Sequence, residues 1–140
     1  GVLLPPYWQE LANRVANRMN IQKGENMVRK IAIVSFQGEM PCFVHAILNV
    51  WNYHERGYET ALIVEGASTK LLLTIADSPQ GKLWQKIKDA GLIKSVCKAC
   101  AIQMGSLTEA ELQGLPIDAA LSGHSDLERF TKDGYELILF

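Results

Sequence analysis

Two short runs, "KIAIVSF" from Lys30 and "ETALIVEG" from Glu59, are apolar at nearly every position instead of alternating. A strand wetted on one face alternates, whereas a continuous run marks a strand covered on both faces, as in a parallel sheet between helical layers. Helical patterns follow each run. "MPCFVHAILNVWNYHERG" has Pro41 in its first turn and Gly57 as its stop, and "KLLLTIADSPQGKLWQKIKDAG" reads as helix in two pieces broken at Pro79. "IKSVC" is a third strand. "SLTEAELQG" carries a T-x-x-E capping box from Thr108 to Glu111, "IDAALSG" is a fourth strand, and "SDLERFTKDG" opens with a second box from Ser125 to Glu128. "YELILF" closes the chain as a fifth strand. This alternation predicts an α/β fold with a five-stranded parallel sheet.

The 140 residues fit one domain with a sizeable core. A net charge of -1 provides no global basic field, so neither nucleic acid nor an anionic membrane is an expected partner. No apolar run approaches the roughly 20 residues of a membrane span. The start, "GVLLPPYWQELANRVANRMN", has prolines and charges where a signal peptide would have its apolar stretch, which predicts a cytoplasmic location. Three cysteines, an odd number, do not make a disulfide framework.

Residues 5–23 read as an amphipathic helix, with Trp8, Leu11, Val15 and Met19 on one face, a Glu10–Arg14 pair on the other and Gly24 as the stop. This divides the chain into an N-terminal helical arm, 1–26, and an α/β domain, 27–140. The arm packs either on its own domain or on another subunit. Trp8, Trp51 and Trp84 all read as packing residues.

In an open parallel sheet, ligands bind beyond the carboxyl ends of the strands. Four segments fall there: "FQGEMPC", "VEGAST", "VCKACAIQMG" and "LSGHSD". They hold all three cysteines and two of the three histidines, with His54 on the opposite edge. Cys97 ends the third strand and Cys100 lies in the first turn of a helix, where amide N–H groups and Lys98 should lower a thiol's pKa toward neutrality. These two thiols are the candidate catalytic residues. Gly38, Cys42, Gly66, Gly105, Gly123 and His124 are the candidate substrate-binding residues. Each has a plainer role: turns leaving a strand need glycine, Cys42 fills a core, and His124 is a loop imidazole. His45 stands one turn beyond Cys42. Glu65 ends the second strand, where a carboxylate is costly to bury unpaired, and the plain alternative is that it is solvated.

"VCKACAIQMG" and the ending "LSGHSDLERFTKDGYELILF" resemble the DsrE-like family of sulfur-relay proteins, over about Lys30 to Phe140. The family's sulfur-carrying cysteine closes the third strand eight residues before a glycine, as Cys97 does before Gly105. Other branches place it where Cys100 stands. The resemblance implies a three-layer α/β/α sandwich and a sulfurtransferase-type carrier. Such a carrier accepts sulfane sulfur as a cysteine persulfide and passes it on without a cofactor or metal. It also implies donor and acceptor proteins as partners and a homo-oligomer, a trimer or hexamer. The loop holding Cys42 and His45 departs from the family pattern, and residues 1–26 lie outside the match.

Two other readings use the same residues. Cys42, Cys97, Cys100 and His124 would make a Cys₃His set suited to structural zinc if the fold brings them together. The C-x-x-C could instead run a thiol–disulfide cycle, although no W-C-x-x-C context accompanies it.

Overall fold

A computed structural model describes residues 5–140, apart from the side chains of residues 19–27. Five parallel strands form one sheet: β1 Lys30–Ser35, β2 Glu59–Val64, β3 Ile93–Cys97, β4 Ile117–Asp118 and β5 Tyr135–Leu139. Their order is β4-β3-β2-β1-β5, so β1 lies inside the sheet, with Ile33 opposite Leu62 on one side and Ile138 on the other. The helices are α1 Pro6–Met27, α2 Met40–Glu55, α3 Gly81–Asp89, α4 Lys98–Gln103, α5 Leu107–Leu112 and α6 Glu128–Lys132. Two 3₁₀ segments, Gly66–Leu73 and Ile75–Asp77, link β2 to α3.

The continuous apolar runs are explained by two covered faces. Ile31, Ile33, Leu62 and Val64 join Phe43, Ile47 and Val50 of α2 and Trp84 and Ile87 of α3 in one buried cluster. Their sequence neighbours Ala32, Val34, Ala61 and Ile63 point the other way, into a smaller cluster with Phe130 of α6 and Tyr135. Side chains alternate faces along a strand, so each run feeds both clusters. Each large side chain fully buried this way contributes about 1.5–3 kcal/mol. Trp84 is wholly buried, and its indole Nε1–H donates to Gln113 Oε1 at 2.8 Å, so the one polar atom of the ring is satisfied. Trp51 is half-buried and packs on the same cluster.

Several local expectations are corrected. The long helical pattern 70–91 is 3₁₀ up to Asp77, and α3 starts only at Gly81. A Cβ at Gly81 would lie 2.2 Å from the Ala76 carbonyl oxygen, so this close turn admits only glycine. Neither capping box forms. Leu107 already begins α5, which leaves Thr108 inside it, and the Ser106 hydroxyl turns back to the Ala101 carbonyl. Ser125 Oγ lies 2.6 Å from Ser95 Oγ, and the Asp126 carboxylate accepts the Glu128 N–H instead. β4 is two residues long because the Asp118 carboxylate accepts the backbone N–H groups of Ala120 and Asp126 and turns the chain out of the sheet.

The arm is helical through Gly24 to Met27, since an interior glycine costs about 1 kcal/mol without by itself stopping a helix. Arg14 and Glu10 pair as expected. Trp8, Leu11 and Val15 are 53%, 40% and 51% exposed, so the described residues of this chain do not cover that stripe, and Trp8 is not a packing residue here. Met19, the fourth member, has its side chain outside the described residues, as do residues 1–4 entirely. Among the described residues no helix is long and apolar enough to cross a membrane.

Candidate functional site

Backbone hydrogen bonds knit the loops beyond the strand ends together. Glu65 N–H donates to the Ser35 carbonyl at 2.8 Å, Ser68 N–H to Phe36 at 3.1 Å, and Ala99 N–H to Gly123 at 2.8 Å. The first two fasten the exit of β2 to that of β1. The third fastens the start of α4 to the loop after β4. Leu121 and His124 exchange both backbone hydrogen bonds around Ser122 and Gly123, whose φ values are 48° and 93°. Two consecutive residues at positive φ make a type I′ hairpin, which swings His124 back over α4.

Four side chains meet there. Cys97 Sγ lies 2.9 Å from Cys100 Sγ and 3.2 Å from His124 Nδ1. Cys100 Sγ lies 3.7 Å from the same nitrogen and 3.9 Å from Glu65 Oε2. The ligand-type atoms of Glu65, Cys97, Cys100 and His124 all fall within 4.8 Å of one another. Cys97, Cys100 and Glu65 are buried, and His124 is exposed, so the cluster opens to solvent on the imidazole side.

Burial dominates the electrostatics. It pushes the Cys97 thiol up from 9.0 to about 12. The hydrogen bond with Cys100 and the charge of Glu65 push the same way, while backbone N–H groups of Cys100 and Ser125 pull the thiol down and lose. The helix-start effect is therefore present but outweighed, and the resting Cys97 is a thiol, contrary to expectation. Burial likewise raises the Glu65 carboxyl, against hydrogen bonds from Cys97 and Cys100 and the charge of His124. Glu65 is 7% exposed, so the solvated alternative for it is overturned.

The other candidates fall outside the cluster. Cys42 is half-buried in the first turn of α2 and contributes no ligand atom, so the Cys42-containing zinc set does not assemble. His45 is exposed on the same helix, and His54 sits in its last turn against Trp51. Gly66, at φ 54°, allows the turn out of β2 beside the Phe36 carbonyl. A Cβ at Gly38 would meet Lys70 Cε at 2.8 Å, so Gly38 serves a close packing. Gly105, at φ 72°, ends α4 in open space. A supporting network escaped the sequence reading: Asp118, Ser95 and Ser125 hold the loop behind Cys97, with the Arg129 guanidinium 3.3 Å from Asp118. Acidic and hydroxyl residues far apart in sequence carry no spacing signal for such a network. A shallow hollow of about 590 Å³, lined by Lys94, Arg129, Phe130, Lys132, Asp133 and Tyr135, includes none of the cluster residues.

No family model matches the chain. A solved structure, the conserved protein of unknown function BT1422 from Bacteroides thetaiotaomicron, superposes with a TM-score of 0.60, covering 79% of this chain and 94% of that one. At 20% identity this likeness extends to the fold alone. An uncharacterized protein of Archaeoglobus fulgidus is 41% identical over 51 residues, 36% of this chain and 84% of its own length. The uncharacterized protein MJ0733 of Methanocaldococcus jannaschii aligns over 106 residues, 73% of this chain and 83% of its own length. At 31% identity over that span, the chain belongs to the same protein family as MJ0733.

Proposed function

We propose that this protein is a sulfur carrier of the DsrE-like type, which accepts sulfane sulfur on the Cys97–Cys100 pair and relays it to a partner. One observation carries the reading: two thiols 2.9 Å apart with an imidazole nitrogen 3.2 Å from one of them. A buried thiol needs a base to become a nucleophile, and His124 Nδ1 is within reach of the Cys97 proton. The Cys97 thiolate attacks the outer sulfur of a donor R–S–SH. The donor S–S bond breaks, R–S⁻ leaves, and Cys97 becomes Cys97–S–SH. An acceptor thiolate then takes the outer sulfur and returns Cys97 to a thiolate. Where Cys100 attacks the inner sulfur instead, a Cys97–Cys100 disulfide forms, two electrons pass to the outer sulfur, and HS⁻ leaves. Thiol exchange of this kind needs no cofactor.

The free thiols suit a reducing, cytoplasmic setting. The uncovered apolar stripe of α1 supports a homo-oligomer, for which the resemblance implies a trimer or hexamer. The test is the intact mass of the reduced chain after incubation with a persulfide donor. A gain of one sulfur atom, lost on reduction and absent in Cys97→Ser, is the expected result. Cys100→Ser cannot close the disulfide and should keep the gained sulfur. Loss of two hydrogens in the wild type with no sulfur gain in Cys100→Ser would replace the carrier with a thiol–disulfide oxidoreductase.

A further inference from the structure

We propose that Glu65, Cys97, Cys100 and His124 form a four-ligand site for a zinc-class divalent cation. The set differs from the one legible in sequence: the buried carboxylate at the end of β2 takes the place of Cys42. Each ligand arrives from a separately anchored stretch, namely the exits of β2 and β3, the first turn of α4 and the hairpin after β4. A tetrahedral zinc shell with Zn–S near 2.3 Å and Zn–N or Zn–O near 2.0–2.1 Å sets its ligand atoms about 3.3–3.8 Å apart. The cluster shows 3.2 Å and 3.7 Å from the imidazole nitrogen to the two sulfurs and 3.9 Å from Cys100 Sγ to Glu65 Oε2. The two sulfurs, at 2.9 Å, must open by just under an ångström. Cys100, in the first turn of a short helix, can make that change by a side-chain rotation.

A second observation points to a cation. Glu65 is 7% exposed, yet among the described residues it forms no ion pair with lysine or arginine. A buried carboxylate opposed only by the charge of one exposed imidazole is costly, and a metal held by the neighbouring thiolates would supply the charge. Two sulfurs, one nitrogen and one oxygen suit zinc and disfavour magnesium or calcium, which take all-oxygen shells. The exposed imidazole side is the entry path. Zinc would draw electron density from both sulfurs, so the metal-bound site should take up sulfur more slowly than the metal-free one. The inference stands on the ligand geometry and not on the persulfide reading.

The test uses the full chain, reduced and stripped of metal. Cobalt(II) is added as an optical stand-in and then displaced by zinc. One equivalent per chain should produce a thiolate-to-cobalt charge-transfer band with the visible bands of a tetrahedral ion. Cys42→Ser should leave both unchanged. Glu65→Gln and His124→Ala should each weaken zinc at least tenfold, about the least seen when even an outer-shell partner is lost. X-ray absorption of the zinc-loaded wild type should show two sulfurs and two lighter ligands, which keeps the test independent of any variant's folding. No charge-transfer band at one equivalent, a single sulfur, or loss of binding in Cys42→Ser would overturn the site. Persulfide uptake by the metal-free chain is read separately. Uptake without zinc binding sinks this inference alone, and zinc binding without uptake sinks only the carrier.

Discussion

His124 Nδ1 lies 3.2 Å from Cys97 Sγ, although 27 positions separate the two residues. The hairpin that delivers the imidazole is anchored to α4 by the Ala99–Gly123 hydrogen bond. The thiol it faces is held protonated by burial. In the proposed reaction Cys97 therefore takes its base from the loop and its position from the strand that carries it.

His124→Ala should slow both alkylation of Cys97 and sulfur uptake by about a hundredfold, the lower end of what a positioned base contributes. Peptide mapping after timed alkylation at neutral pH checks this. Added imidazole should restore part of the rate. Unchanged labelling of Cys97 would remove the base from the proposal.

Cys97→Ser should abolish persulfide formation while the far-ultraviolet spectrum stays native, because a hydroxyl keeps the shape and not the acidity. Cys100→Ser should slow release more than uptake, since in the proposal it acts after Cys97 is loaded. Equal loss of uptake in both variants would point to a shared metal or an obligatory disulfide.

Gly123→Ala should destabilise the fold by about 1–2 kcal/mol, the cost of placing a side chain at positive φ. The φ there is 93°, and the new Cβ would meet Ala99 Cβ at 3.6 Å, an ordinary contact, so the backbone strain alone sets the size of the effect. Urea unfolding measures the stability, and the alkylation rate of Cys97 should fall alongside it.

Asp118 predicts an acid-sensitive loop. Desolvation alone would raise its carboxyl, but N–H groups of Ala120 and Asp126 and the Arg129 guanidinium outweigh it and hold the group below 3.8. A carboxyl depressed on folding contributes stability that is present above its unfolded value and is lost as pH falls through the folded one. The urea midpoint of the wild type should therefore fall below about pH 4, and Asp118→Asn should be less stable at neutral pH with a flatter acid limb. Parallel acid limbs in the two proteins would contradict the assignment.

Trp84→Ala should cost about 3–5 kcal/mol, as expected for a large ring removed from a core. The indole is fully buried and hydrogen-bonded to Gln113. Starting the chain at Met27 should instead leave the unfolding midpoint nearly unchanged while lowering the number of subunits, read as molar mass from light scattering divided by chain mass. An unchanged assembly would show that the stripe of Trp8, Leu11 and Val15 is dispensable for it.

The amino-acid sequence by itself determined the strands and their parallel arrangement. Runs such as "KIAIVSF" bury both faces, and that requirement is local enough to read residue by residue. It also brought Cys97, Cys100 and His124 to one edge, because strand ends must face the same way in a parallel sheet. Only the tertiary structure decided which of the residues at that edge touch. Glu65 joined the cluster and Cys42 did not, since a separation of a few ångströms depends on how β2, α2 and the hairpin after β4 pack. The capping boxes failed for the same reason: Ser125 is drawn to Ser95, and Ser106 turns back to Ala101, over distances no local pattern encodes. The thiol's acidity was decided there as well. A helix start lowers a pKa by a short-range effect visible in sequence, but burial raises it through the surrounding protein, and at Cys97 burial is the larger.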